Sequence, residues 1–168
     1  MGISGTRLTS LALGLGMSLT CAAASNTFVD EASSAGMAEI ETSKLALQKS
    51  SSADVKAFAN QMLTDHSAAN KELAALAGKL AIKVPDDTAL SRNAEKMALK
   101  VPDGASFDAA YAKHQVDAHE QTIKLFTEQS RSTAAPSEMA AFASKTLPTL
   151  KHHLDMAKKL QAQHQKIN

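Results

Sequence analysis

Apolar positions recur every three to four residues along four stretches of this chain, the spacing that puts them on one face of a helix. The first stripe runs Phe28, Ala32, Ala35, Glu39, Thr42, Ala46, and the second Phe58, Met62, His66, Ala69, Leu73, Leu76, Leu80. The third carries Val116, His119, Ile123, Phe126, and the fourth Leu147, Leu150, His153, Ala157, Leu160. Capping and breaking residues set the bounds. A first helix is predicted from about Thr27 to Ser50, capped by Asn26 or Thr27 and broken by Ser50-Ser51-Ser52. Ser51 or Ser52 then caps a second helix near Asp54, which runs to about Ile82 and stops before Pro85. A third begins after Gly104 with Ser106 as cap and ends near Ser130. The fourth covers about Ser137 to Gln163, with a bend expected at Pro148.

Only a few residues join the first helix to the second and the third to the fourth, so each pair predicts an antiparallel hairpin. The connection from Lys83 to Ala105 is longer. Val84-Pro85-Asp86 and Val101-Pro102-Asp103 bracket Thr88–Lys100, which reads as a short helix. Such a connector can return along a bundle of about 40 Å, the length of roughly 27 residues at about 1.5 Å each. The expected fold is therefore all-α: a ferritin-like antiparallel four-helix bundle whose long crossover contains a short helix. Composition agrees, because Tyr111 and five Phe are the only aromatics, and an Ala- and Leu-rich core suits close helix packing.

Residues 1–24 read as a secretory signal, with Arg7 as the sole charge, an apolar stretch from Leu11 to Leu19, and a small-residue cleavage site at Ala22-Ala23-Ala24. The stretch falls short of the roughly 20 apolar residues a spanning helix needs. Ser18-Leu19-Thr20 is a poor lead-in for lipid attachment at Cys21. Cleavage leaves residues 25–168 as one bundle domain without thiols, so disulfides and Cys metal sites are excluded. Loss of Arg7 also takes Lys+Arg from 18 to 17 against 17 Asp+Glu. A neutral mature chain has no electrostatic case for nucleic acid or an anionic membrane. A periplasmic or secreted location is expected, with outer-membrane association and an envelope protein as partner.

Each stripe holds one ionisable residue where an apolar one belongs, and burying such groups is costly unless they pair or hold a metal. Counted from the hairpin turns, Glu39 and His66 fall at nearly one height, and His119 and His153 within about one turn of each other. Carboxylate and imidazole on facing helices suit iron, zinc, copper or manganese. The candidate metal ligands are Glu39, His66, His119 and His153, with Asp65 and Glu120 as accessory groups. A di-iron centre needs a Glu-x-x-His pair on two helices, whereas Leu63 and Leu150 precede His66 and His153 by three residues. The metal-free alternative is a polar network in which His66 bonds Glu39 and the other imidazoles pair with Tyr111 or water. Glu41 and His152 read as solvated, His114 and His164 as peripheral, and the methionines as core filler. Without a Cys nucleophile, a phosphate loop or a Gly-x-Ser-x-Gly turn, the mature chain leans away from an enzyme with turnover.

Several motifs lie on these stripes: Gly36-Met37-Ala38-Glu39 with Lys44-Leu45-Ala46, and Val55-Lys56-Ala57-Phe58-Ala59 leading to Met62-Leu63-Thr64-Asp65-His66. They continue through Phe107-Asp108-Ala109-Ala110-Tyr111, His119, Leu125-Phe126 and Thr146-Leu147-Pro148-Thr149-Leu150 to His153-Leu154. In this series the chain resembles the DUF4142 family, a domain of unknown function. The resemblance implies a ferritin-like helical fold and a periplasmic or outer-membrane setting, without an established chemistry. The family often has Asp before the third-helix His, where this chain has Ala118, with Asp117 one place earlier. Residues and resemblance together lead to the expectation of a small exported metal-binding or stress-associated envelope protein. The alternative is a metal-free module that binds a partner.

Overall fold

The computed structural model describes residues 16–86 and 105–165, with side chains for 25–86 and 107–165. Four helices carry them: α1 (Gly16–Lys49), α2 (Ala53–Lys79), α3 (Ala105–Ser130) and α4 (Ser137–His164). No strand occurs among the described residues. No helix among them is long and apolar enough to cross a membrane. The expected all-α four-helix bundle is the fold observed.

Element ends differ from expectation for local reasons. Helix α1 is already formed at Gly16, the first described residue and well before Thr27, because nothing between Met17 and Gly36 breaks a helix; Asn26 and Thr27 are therefore interior to it. Ser106 likewise falls inside α3. Ser52 does occupy the N-cap of α2, but its hydroxyl makes no cap bond and turns to the Asp54 carboxylate, which accepts the Val55 N–H at 2.8 Å. Helix α2 stops at Lys79 rather than Ile82. There the Ile82 N–H reaches the Ala77 carbonyl at 2.9 Å and the Ala81 N–H reaches the Gly78 carbonyl at 3.2 Å, the bond pair of a Schellman closure. Ala81 adopts φ 55° to make it, at a cost of about 1 kcal/mol that Gly would avoid. Helix α4 continues through Pro148.

Helices α1 and α2 form one hairpin and α3 and α4 the other, with α1 packed on α3 and α2 on α4. The cross-contacts fix direction. Ser43 meets Tyr111 while Phe28 meets Phe126, so α1 and α3 are antiparallel. Asp54 meets His164 while Glu72 meets Lys145, so α2 and α4 are antiparallel too. Helices α2 and α3 then run the same way, the sense a long crossover requires. The expected crossover and its short helix over Thr88–Lys100 fall on residues 87–104, outside the described residues.

The core is two apolar clusters with a polar layer between them. One cluster gathers Phe58, Met62, Phe107, Tyr111, Val116 and Leu160; the other gathers Phe28, Leu73, Phe126, Met139, Phe142 and Leu150. Along α2, His66 lies between Met62 and Leu73; along α3, His119 lies between Val116 and Phe126. Along α4, His153 lies between Leu150 and Ala157, and along α1, Glu39 lies between Ala32 and Ala46. Full burial of each large apolar side chain contributes about 1.5–3 kcal/mol, so the two clusters can hold a costly middle layer in place.

Candidate metal centre

Three imidazoles meet in that layer because each occupies a core-facing position of its helix. Ring centroids are 5.5 Å apart for His66 and His119, 5.4 Å for His66 and His153, and 5.5 Å for His119 and His153. The residues are 6%, 1% and 1% exposed in the order 66, 119, 153. One donor atom from each lies within 4.8 Å of the other two, the one such grouping of three or more among the described residues.

Hydrogen bonds fix two of the rings. His119 Nδ1 donates to the Gln115 carbonyl at 2.8 Å, one turn earlier on α3, which leaves Nε2 with its lone pair. His153 Nε2 donates to Asp65 Oδ2 at 2.8 Å across the α2–α4 interface, which leaves Nδ1 with its lone pair. Both of these nitrogens, together with His66 Nε2, are buried without a hydrogen-bond partner. Each unsatisfied buried polar atom costs about 1–3 kcal/mol, so three in one place call for a ligand.

Electrostatics keep the rings neutral. Burial pushes His66 down to about 3, and the neighbouring His119 and His153 push the same way. Burial takes His119 to about 4 against the opposing Gln115 carbonyl, and lowers His153 against the opposing pull of Asp65. Burial raises Asp65, but hydrogen bonds from Gln61 at 2.6 Å and from His153 outweigh it and hold the carboxylate ionised. Neutral imidazoles with oriented lone pairs are the metal-binding form, and a carboxylate behind one of them is the usual outer-shell support. Ligand nitrogens shared by one tetrahedral ion stand about 3.3 Å apart, so these donor atoms, within 4.8 Å of one another, would close by at most roughly 1.5 Å to hold one.

The other predicted residues fall differently. Glu39 is buried at 3% exposure in the same layer, but its carboxyl faces Gln115 on α3 and is not in the imidazole grouping. The Gln115 amide meets it too loosely for a regular hydrogen bond, Oε2 has no partner, and burial lifts the carboxyl to about 7 despite Gln115. The expected His66–Glu39 bond is thus not formed, and the Tyr111 hydroxyl meets Ser43 at 3.4 Å rather than an imidazole. Glu120 is on the surface, paired with Lys158 at 3.0 Å. Asp65 is the accessory group that reaches the centre, through His153.

Three further features matter here. The α1 backbone comes so close to α2 at Gly36 that a Cβ there would lie 2.1 Å from Asn70 Oδ1, while Asn70 Nδ2 donates to the Ser33 carbonyl at 3.3 Å. Beside them a cavity of about 30 Å³ is lined by Gly36, Asp65, His66 and His153 among mostly apolar neighbours, room for a water beside the imidazoles. Finally, His164 is not peripheral: it is 9% exposed and meets Asp54 at 3.1 Å, tying the end of α4 to the start of α2. Its position four residues after Leu160 on the same stripe could have marked it.

Fold and site together define a four-helix bundle with a tri-imidazole cluster at mid-core. The chain belongs to the family described as domain of unknown function DUF4142, whose model matches residues 15–160. Comparison with curated proteins and with solved structures gives no match.

Proposed function

We propose that this protein is a small exported, ferritin-like bundle that binds one transition-metal ion through His66, His119 and His153, as an envelope metal-binding protein rather than a turnover enzyme. The observation that carries this reading is the set of three buried imidazole nitrogens that lack partners and lie together. Imidazole donors accept zinc, copper and iron, and a set of three leaves a position for water. Asp65 orients His153 from behind, while Glu39 lies buried in the same layer outside the imidazole grouping. Export rests on the sequence of residues 1–24 and predicts a periplasmic or secreted mature chain beginning near Ser25.

Metal analysis of protein purified without a His tag tests the proposal. Near-stoichiometric iron, zinc, copper or manganese, lost in His66→Ala and His119→Ala, is the expected result. Wild type and variants equally free of metal after exposure to each ion would favour the alternative, a metal-free packing layer in a partner-binding module.

A further inference from the structure

A second candidate site includes Glu39 and none of the three clustered imidazoles. Between α1 and α3 a groove of about 710 Å³ opens to the surface, within the size range of small-molecule sites. It exists because facing positions carry short side chains, Ala35 and Ala38 on α1 and Ala118 on α3. Asp30, Glu31, Glu39 and Asp117 contribute four carboxyls to its walls, and no Lys or Arg lines it. Lys113 pairs with Asp117 at the rim. Two buried atoms in the walls have no hydrogen-bond partner, Glu39 Oε2 and His114 Nδ1.

Glu39 lines this acidic groove, and its buried carboxyl oxygen without a partner calls for a cationic or donor group from outside the chain. A single metal ion fits poorly. Among the described residues, no three of these groove groups bring donor atoms as close together as the imidazoles do. Glu31 and Glu39 are eight residues apart on α1, about 12 Å along a helix, the spacing of charges on an extended chain. We infer that the α1–α3 groove binds a linear aliphatic polyamine, with one ammonium group on Glu39 and another toward Asp30 and Glu31. This site is separate from the imidazole cluster and stands or falls independently of it.

Calorimetric titration of the full chain with spermidine is the test, with 1,8-octanediol as the uncharged control and magnesium chloride at matched ionic strength. Saturable binding of about one spermidine per chain is expected, with none for the diol. Glu39→Gln removes the carboxyl that can ionise against an ammonium group and Ala35→Leu fills the groove; each should weaken binding at least about tenfold while melting in the absence of spermidine stays cooperative. Non-saturable binding, displacement by magnesium at equal ionic strength, or unchanged affinity in both variants would overturn the inference.

Discussion

Asp65 and His153 are joined across the α2–α4 interface by a 2.8 Å hydrogen bond that decides which nitrogen of the ring faces its two neighbours. Because the carboxylate accepts the Nε2–H, Nδ1 keeps its lone pair, and it is buried without a partner. Replacing this outer-shell carboxylate should therefore act on metal affinity more than on folding. For Asp65→Ala, zinc affinity measured by competition with a chelator should fall about 10–100-fold. Asp65 is partly exposed, so metal-free stability should change by less than about 1 kcal/mol. Equal affinity in wild type and Asp65→Ala would remove Asp65 from the site.

The imidazoles predict the acid side of the stability profile. His66 and His119 have folded values of about 3 and 4, below the ordinary 6.5, so the unfolded chain binds protons that the folded chain refuses. Stability without metal must then fall as pH drops below about 6.5. Each ring contributes a loss on the order of 2 kcal/mol by pH 5. Urea melts with chelator at pH 5 and pH 7.5 read this directly, and His66→Phe should flatten the dependence. A variant as acid-sensitive as wild type would contradict the assignment.

Glu39 acts with the opposite sign. Its folded value of about 7 exceeds the ordinary 4.5, so the folded state holds a proton that the unfolded state releases, and stability declines as pH rises from about 4.5 to 7. Glu39→Gln should match wild type near pH 4.5 and exceed it by about 3 kcal/mol above pH 7, where the buried carboxyl must ionise. A difference that does not grow with pH would show that Glu39 is better solvated than its 3% exposure implies.

Gly36 predicts a coupling between helices. Gly36→Ala gains about 0.5–1 kcal/mol of helix propensity but drives a methyl into Asn70 and breaks its bond to Ser33. A net loss of about 1–2 kcal/mol is expected in chemical denaturation. In an Asn70→Ala background the same substitution should become neutral or stabilising, a non-additivity that marks direct contact. Additive effects would place the constraint elsewhere.

Much of this was legible in the sequence. The apolar stripes marked all four helices, and the polar interruptions at Glu39, His66, His119 and His153 are each buried. Residue spacing gives height along a bundle, and Glu39 does lie in the histidine layer. It does not give the rotation of a helix about its axis, which decides that Glu39 faces Gln115 rather than His66. Partners across helices were equally out of reach: Asp65 on His153 and Asn70 against Gly36 depend on how α2 meets α4 and α1. The Gln115 carbonyl that orients His119 carries no side-chain signal, since any residue one turn earlier offers the same acceptor. Helix ends were misplaced where a cap-forming residue lay inside a longer helix, at Thr27 and Ser106, or where Ala81 took a conformation more usual for Gly.

In the proposed function, three imidazoles from α2, α3 and α4 close on one ion. X-ray absorption on protein loaded with one equivalent of zinc counts those ligands directly. The predicted spectrum has about three imidazole nitrogens at roughly 2.0–2.1 Å plus one oxygen, and loses an imidazole in His153→Ala. A shell of oxygens without imidazole scattering, or a spectrum unchanged by His153→Ala, would contradict the account.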